Sequence, residues 1–224
     1  MQRNVKTTTA KEQMLKKVRH ALLQKREHPY PSFEETPLYA EESDSMDVLF
    51  AQRLTAVAGK FVYCEDEVSV VENLLTLAEK EKLRRMYVWE PALQEVLDRY
   101  GFPFYSTEQD FDLADTGITA CEALIARSGS ILVSNGNAGG RRLTVYPHTH
   151  VVIARTSQLV MDIKDGLNLM QRRYPAGLPS LISVITGPSR TADIEKTLVL
   201  GAHGPKELYV FLLEDRVDLP HPNS

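Results

Sequence analysis

Residues 60 to 105 read KFVYC EDEVSVVENLLTLAEKEKLRR MYVWE PALQEVLDRYG FPFY, and the alternation inside this stretch decides the fold class. The run Lys60 to Cys64 is short, apolar and β-rich, as expected of a strand buried on both faces. Val71, Leu74, Leu75 and Ala78 then recur at helical spacing, and Met86 to Trp89 returns to a strand pattern. Pro91 stands where a first helical turn tolerates it, and Leu93, Val96 and Leu97 supply an apolar face. Gly101 stops that helix before a third candidate strand, Phe102 to Tyr105. Successive strands joined by single helices pair in parallel through crossovers, so the stretch predicts a Rossmann-like parallel sheet with helices on its faces.

Toward the N-terminus, Met46, Leu49, Phe50, Leu54 and Val57 mark a helix closed by Gly59. Thr9 and Glu12 have capping-box spacing, and Met14, Leu15, Val18, Ala21 and Leu22 follow at helical intervals. Pro29, Pro31 and Pro37 force an extended segment after that amphipathic helix. Residues 1 to 28 carry eight Lys/Arg against Glu12 and Glu27, and residues 34 to 47 answer with six acids. The basic helix face either docks on an acidic partner or an anionic membrane, or is simply solvated.

Toward the C-terminus the rhythm changes. Residues 117 to 126 and 130 to 134 are β-rich runs separated only by Arg127-Ser128-Gly129, too close for a helical crossover, which predicts an antiparallel hairpin or a bent strand pair. Val151 to Ala154 predicts a strand, Leu159, Val160, Ile163, Leu167 and Met170 a helix, and Leu181 to Thr186 and Tyr209 to Leu213 two further strands. The expected organisation is an N-terminal helix and arm over 1–42, one α/β domain over 43–218 and a tail over 219–224.

Composition narrows the function classes. The 224 residues are 43% hydrophobic and 25% charged, ordinary globular usage. A balance of 26 basic to 30 acidic residues, net −4, points away from nucleic acid. No apolar run suits a signal peptide or a membrane span. Two cysteines, Cys64 and Cys121, are too few for an iron–sulfur cluster or a cysteine-built zinc site, and they predict a reduced, cytoplasmic protein.

Two segments carry the densest chemical signal. Gly187-Pro188-Ser189-Arg190-Thr191-Ala192-Asp193 follows a buried strand and reads as opening a short helical segment. There Gly187, Ser189, Arg190 and Thr191 can hold an anion through backbone N–H groups, hydroxyls and a guanidinium; the alternative is a plain N-cap, with Arg190 paired to Asp193. A nucleophile elbow needs a glycine where Thr191 stands. Ser134 to Arg142 offers Gly136, Gly139 and Gly140 for close backbone approach and Arg141 for negative charge, or else is a long loop.

Three further positions are candidates. In a period-two strand Glu122 shares an apolar face with Ile118, Ala120, Leu124 and Ala126. A carboxylate there suits a nucleophile or general base, unless it pairs with an arginine such as Arg141. His148 and His150 form an H-x-H pair that lacks a nearby third ligand. His203, held between Gly201 and Gly204 in a tight loop, is the better acid–base candidate.

These residues also carry a family resemblance. Ile185 to Glu195, then Leu198 to Pro205 (LVLGAHGP) and Leu208 to Leu213, look like the C-terminal signature of the LUD domain of lactate-utilisation protein C, also called YkgG-like. Gly117-Ile118-Thr119-Ala120, Ile125-Ala126 and Ser128-Gly129-Ser130 resemble its central motif, and the likeness covers about residues 45 to 215. The resemblance implies a three-layer Rossmann-like mixed, mostly parallel sheet of the NagB/RpiA/CoA-transferase type. It also implies a role in oxidising L-lactate to pyruvate beside iron–sulfur lactate-utilisation proteins. Because this chain lacks their cysteine runs, the expectation is an accessory, cluster-free subunit binding an anionic small molecule, with no particular cofactor indicated. The alternative is a stand-alone enzyme acting on a phosphorylated or acyl-CoA metabolite through Glu122 or His203. For Glu122 that analogy rests on fold alone.

Overall fold

The computed structural model describes residues 9–23, 42–136, 140–194, 197–200 and 204–215. The chain divides into two compact units, Met1–Ser43 and Asp44–Ser224. In the first, α1 spans Ala10–Leu23 and starts with the reciprocal cap its sequence predicts. Thr9 N donates to Glu12 Oε2 at 2.9 Å, and Glu12 N donates to Thr9 Oγ1 at 3.3 Å.

The second unit opens with α2 (Met46–Ala56), β1 (Lys60–Cys64), α3 (Glu67–Glu81), β2 (Met86–Val88) and α4 (Pro91–Arg99). It continues with β3 (Thr116–Thr119), β4 (Ala123–Ile125), β5 (Ser130–Ser134), α5 (Gly140–Val145), β6 (Thr149–Arg155) and β7 (Leu159–Val160). The remaining elements are α6 (Ile163–Arg173), β8 (Ile182–Ile185), β9 (Arg190–Ile194), β10 (Thr197–Leu200) and β11 (Glu207–Leu213).

Five strands form an all-parallel sheet in the order β1-β11-β6-β3-β2. Successive residues of a strand point to opposite faces, and both faces here are covered, which is why β6 and β11 read as unbroken apolar runs. Val151, Ile153, Tyr209, Phe211 and Leu213 pack with Val71 and Leu74 of α3 and Leu97 of α4. Val152, Ala154, Leu208, Val210 and Leu212 face the other way, against Leu49, Phe50 and Leu54 of α2 and Leu124, Ile131 and Val133 of a second sheet. The result is a three-layer α/β fold.

The second sheet, β7-β4-β5-β8, is mixed: β4–β5 and β5–β8 are antiparallel and β4–β7 is parallel. The hairpin expected around Arg127-Ser128-Gly129 is thus β4–β5. On its outer face Ala123 and Leu132 meet Met170 of α6. Residues 117 to 126, expected as one strand, are divided: β3 belongs to the parallel sheet and β4 to the second, with Ala120 to Glu122 carrying the chain between them. The common face predicted for Ile118, Glu122 and Leu124 therefore does not exist, and Ile118 and Leu124 lie in different cores.

Smaller differences have similar causes. Only Tyr105 of the third predicted strand bridges Tyr87, because Pro103 has no N–H for a ladder. Leu159 and Val160 form β7, and α6 begins after Asp162, whose backbone N–H donates to Asp165 Oδ2 at 3.2 Å. Residues 140–142, weighed as part of a long loop, open α5, which packs against β3 at Gly117. A Cβ on Gly117 would lie 2.3 Å from Leu143 O, so only glycine admits this approach.

Candidate ligand cavity

His150 and Leu208, each the second residue of its strand, are register partners in β6 and β11. Both lie on the face turned toward the second sheet, and beside them opens a cavity of about 280 Å³ at the amino ends of the parallel strands. Val133 and Ser134 of β5 and Ser183 and Ile185 of β8 form one side. Arg141, Thr144 and Val145 of α5 form another, and Leu181, Gly187 to Ser189, Gly204 and Pro205 complete the lining. Arg141 from one predicted segment and Gly187 and Ser189 from the other thus share one site.

Local chemistry sets that convergence. Gly187 has φ +77°, and a Cβ there would stand 2.4 Å from Val57 O, so a glycine lets the loop turn against the end of α2. Ser189 N donates to Pro205 O at 2.8 Å and joins the two loops. Among the described residues the Arg141 guanidinium has no acid or hydrogen-bond partner. Its neighbour Arg142 pairs with Glu108 and lies 4.7 Å from the Phe111 ring centroid. A guanidinium beside a mostly apolar hollow has the chemistry to take an oxyanion.

One expectation for the 187–193 segment is corrected. No helix opens there: Arg190–Ile194 is strand β9, paired antiparallel with β10, whose Thr197–Leu200 sequence favours extended structure. The 187–194 segment therefore presents no helix dipole. Arg190 is exposed and donates from Nη2 to Val57 O at 2.8 Å, a cation satisfying a carbonyl at the end of α2. Thr191 is placed by its backbone opposite Val199.

Glu122 is fully buried, and three donors meet its carboxylate: Ser134 Oγ at 2.6 Å, Arg173 Nη1 at 2.6 Å and Tyr174 Oη at 2.8 Å. Its arginine is Arg173, not Arg141. A carboxylate without water needs such compensation. Burial, and then the carboxylate itself, push the Tyr174 phenol above its ordinary range. Ser134 also accepts from Gly136 N at 3.0 Å, so Glu122 reaches the cavity through a hydroxyl on its wall. Gly140 opens α5. Gly139 and His203 lie outside the described residues.

The two members of the H-x-H pair separate, His148 being exposed ahead of β6 and His150 fully buried within it. His150 Nε2 lies 2.9 Å from Thr119 Oγ1, while Nδ1 has no partner among the described residues. Burial holds its pKa down at about 4, so the ring is neutral at neutral pH. Sequence reasoning weighed His150 only as half of a metal pair. The stronger signal was a lone imidazole inside a strand buried on both faces. No group of three metal-ligating side chains occurs among the described residues. Cys64 and Cys121 are buried free thiols in separate cores, and burial raises both pKa values. No described helix is long and apolar enough to cross a membrane.

Comparison with known proteins adds the context. The LUD domain model matches residues 48–213. Lactate utilization protein C of Geobacillus sp. (strain WCH70) is 35% identical over 46% of this chain and 44% of its own length. The protein of that name from Halalkalibacterium halodurans is 37% identical over 46% of each chain. In these matches the chain spans less than half of the relative's length. A longer match, to lactate utilization protein C of Bacillus velezensis, is 27% identical over 72% of this chain and 71% of that one. Among solved structures, a DUF162 family protein from Deinococcus radiodurans superposes with a TM-score of 0.56 and 19% identity. That match covers 75% of this chain and 96% of the other, and it shows a shared fold.

Two predictions follow from the buried groups. With a folded pKa of about 4 against an ordinary 6.5, His150 takes up a proton on unfolding at any pH between those values. Its contribution is complete above pH 6.5 and is lost as pH falls toward 4. Urea titrations should show the wild type losing about 2 kcal/mol more than His150→Gln between about pH 7.5 and about pH 5. Arg173→Met removes one donor from Glu122. It should cost about 2 kcal/mol in the same assay, the half-exposed arginine being partly replaceable by water, and the double change with Glu122→Gln should cost less than the sum.

Proposed function

The chain belongs to the LUD-domain family, and we propose that it serves lactate utilisation in the cytoplasm as an accessory, cluster-free subunit that holds an anionic small molecule beside Arg141. The observation that carries this reading is the Arg141 guanidinium, without a partner among the described residues, on a cavity of about 280 Å³ that Ser134, Thr144, Ser183 and Ser189 also line. A cation beside the Ser183 and Ser189 hydroxyls, above apolar walls, suits a ligand that is charged at one end. The names of the relatives support the metabolic setting. Both thiols lie in separate cores, which supports a division of labour in which iron–sulfur lactate-utilisation proteins carry the electrons. Ser189, with the Gly187 turn beneath it, belongs to this ligand set. Arg190 and Thr191 stand at its margin on β9.

The Ser134–Glu122 contact supports a second reading, an enzyme acting on a phosphorylated or acyl-CoA metabolite. A carboxylate accepting from a hydroxyl on the cavity wall is an arrangement used in nucleophilic and general-base catalysis. Growth separates the two. A deletion strain should fail to grow on L-lactate and recover with the wild-type gene but not with Arg141→Gln; normal growth of the deletion strain would contradict the accessory role. Turnover of phosphate esters or acyl-CoAs by the isolated chain, abolished in Glu122→Gln, would favour the enzyme instead.

A further inference from the structure

We infer that the cavity takes an organic oxyanion whose apolar body brings it to about ten to twelve non-hydrogen atoms, a ligand larger than lactate. This rests on the anion-site reading above and adds the size and chemical class of the ligand. The first observation is volume. An engineered dry cavity of about 150 Å³ accepts benzene, and the space here is about 280 Å³. A three-carbon hydroxy acid has about as many non-hydrogen atoms as benzene and would leave roughly half of that space to water.

The walls make water a poor occupant. Val133, Ile185, Pro188 and Leu208 line the cavity from β5, β8, the 187–189 loop and β11, and their surface is satisfied by an apolar body. Polar demand is confined to a few positions. Among the described residues the Arg141 guanidinium has no partner, and His150, which also lines the cavity, is fully buried with no partner at Nδ1. An orphan buried nitrogen calls for a ligand atom or a bridging water. One charged end, one neutral hydrogen-bonding group and a hydrophobic body describe an aryl or branched-acyl carboxylate or phosphate ester.

Titration calorimetry of the full chain with L-lactate, 3-phenylpropionate, phenyl phosphate and 2-phenylethanol tests the inference. At least one aryl anion should bind about tenfold or more tightly than L-lactate, and the neutral alcohol should bind about tenfold more weakly than that anion. Which anion binds better tells a carboxylate ligand from a phosphate, and either result supports the inference. Arg141→Gln should abolish the preference for the anion, and Arg141→Lys should retain part of it. L-lactate binding as tightly as the aryl anions overturns the inference and leaves the anion-site reading standing. Absence of binding by every anion, or binding unchanged in Arg141→Gln, overturns both.

Discussion

A carboxylate with no exposed surface has to find its donors inside the protein, and Glu122 finds them on three sides. It sits where the chain leaves the parallel sheet for the second one, and its own N–H donates to Leu132 O at 2.7 Å. Ser134 ties it to the end of β5, and Arg173 and Tyr174 tie it to the end of α6. Removing a partner from such a group leaves a buried charge short of compensation, so Glu122 adds a polar tie between β5 and α6 to the β4–β5 ladder and the apolar contact of Ala123 and Leu132 with Met170. Since Ser134 also lines the cavity, the same network fixes the wall that a ligand would touch.

The cavity lies at the amino ends of the parallel strands, whereas ligands of open α/β sheets usually sit at the carboxyl ends. The two ends differ in how their described polar groups are paired. At the carboxyl ends a groove of about 340 Å³ is lined by charges that satisfy one another. Arg99 lies 2.9 Å from Glu67, and Arg155 approaches Glu67 at 3.7 Å and Asp215 at 3.6 Å. Glu90 accepts from Ala120 N at 2.9 Å beside a smaller hollow of about 170 Å³, its pKa raised by burial. At the amino ends Arg141 and His150 line the same space, and neither the Arg141 guanidinium nor His150 Nδ1 has a partner among the described residues.

Much of the parallel layer was legible in the sequence, because its strands are buried on both faces and its helices announce themselves by period and punctuation. β1, α3, β2 and α4 fall where Lys60 to Gly101 place them. The divided stretch at 117–126 was not legible, since two short apolar strands in different sheets look like one longer strand when three residues join them. The helix expected after Gly187 failed on a similar ambiguity. Ser-Arg-Thr-Ala-Asp suits a cap and a first turn, but Arg190 has a carbonyl waiting on α2 and β10 offers a partner strand.

The site divides along the same line. Local composition marked both segments that converge on the cavity, because glycines and arginines are rare enough to stand out. Partnerships across long separations left no trace in it: Glu122 meets Arg173, and Arg190 meets Val57, only once the chain is folded. His150 was hidden by its neighbour, since an H-x-H reading assigns both rings a common purpose that β6 denies them.

The most direct test of a ligand cavity organised by Arg141 is a crystal structure of the full chain soaked with phenyl phosphate or 3-phenylpropionate. The account predicts density with its anionic group on the Arg141 guanidinium and its ring against Val133, Ile185 and Leu208. Density confined to the charged groove around Arg155, or a ring seated with its anionic group turned away from Arg141, would contradict it.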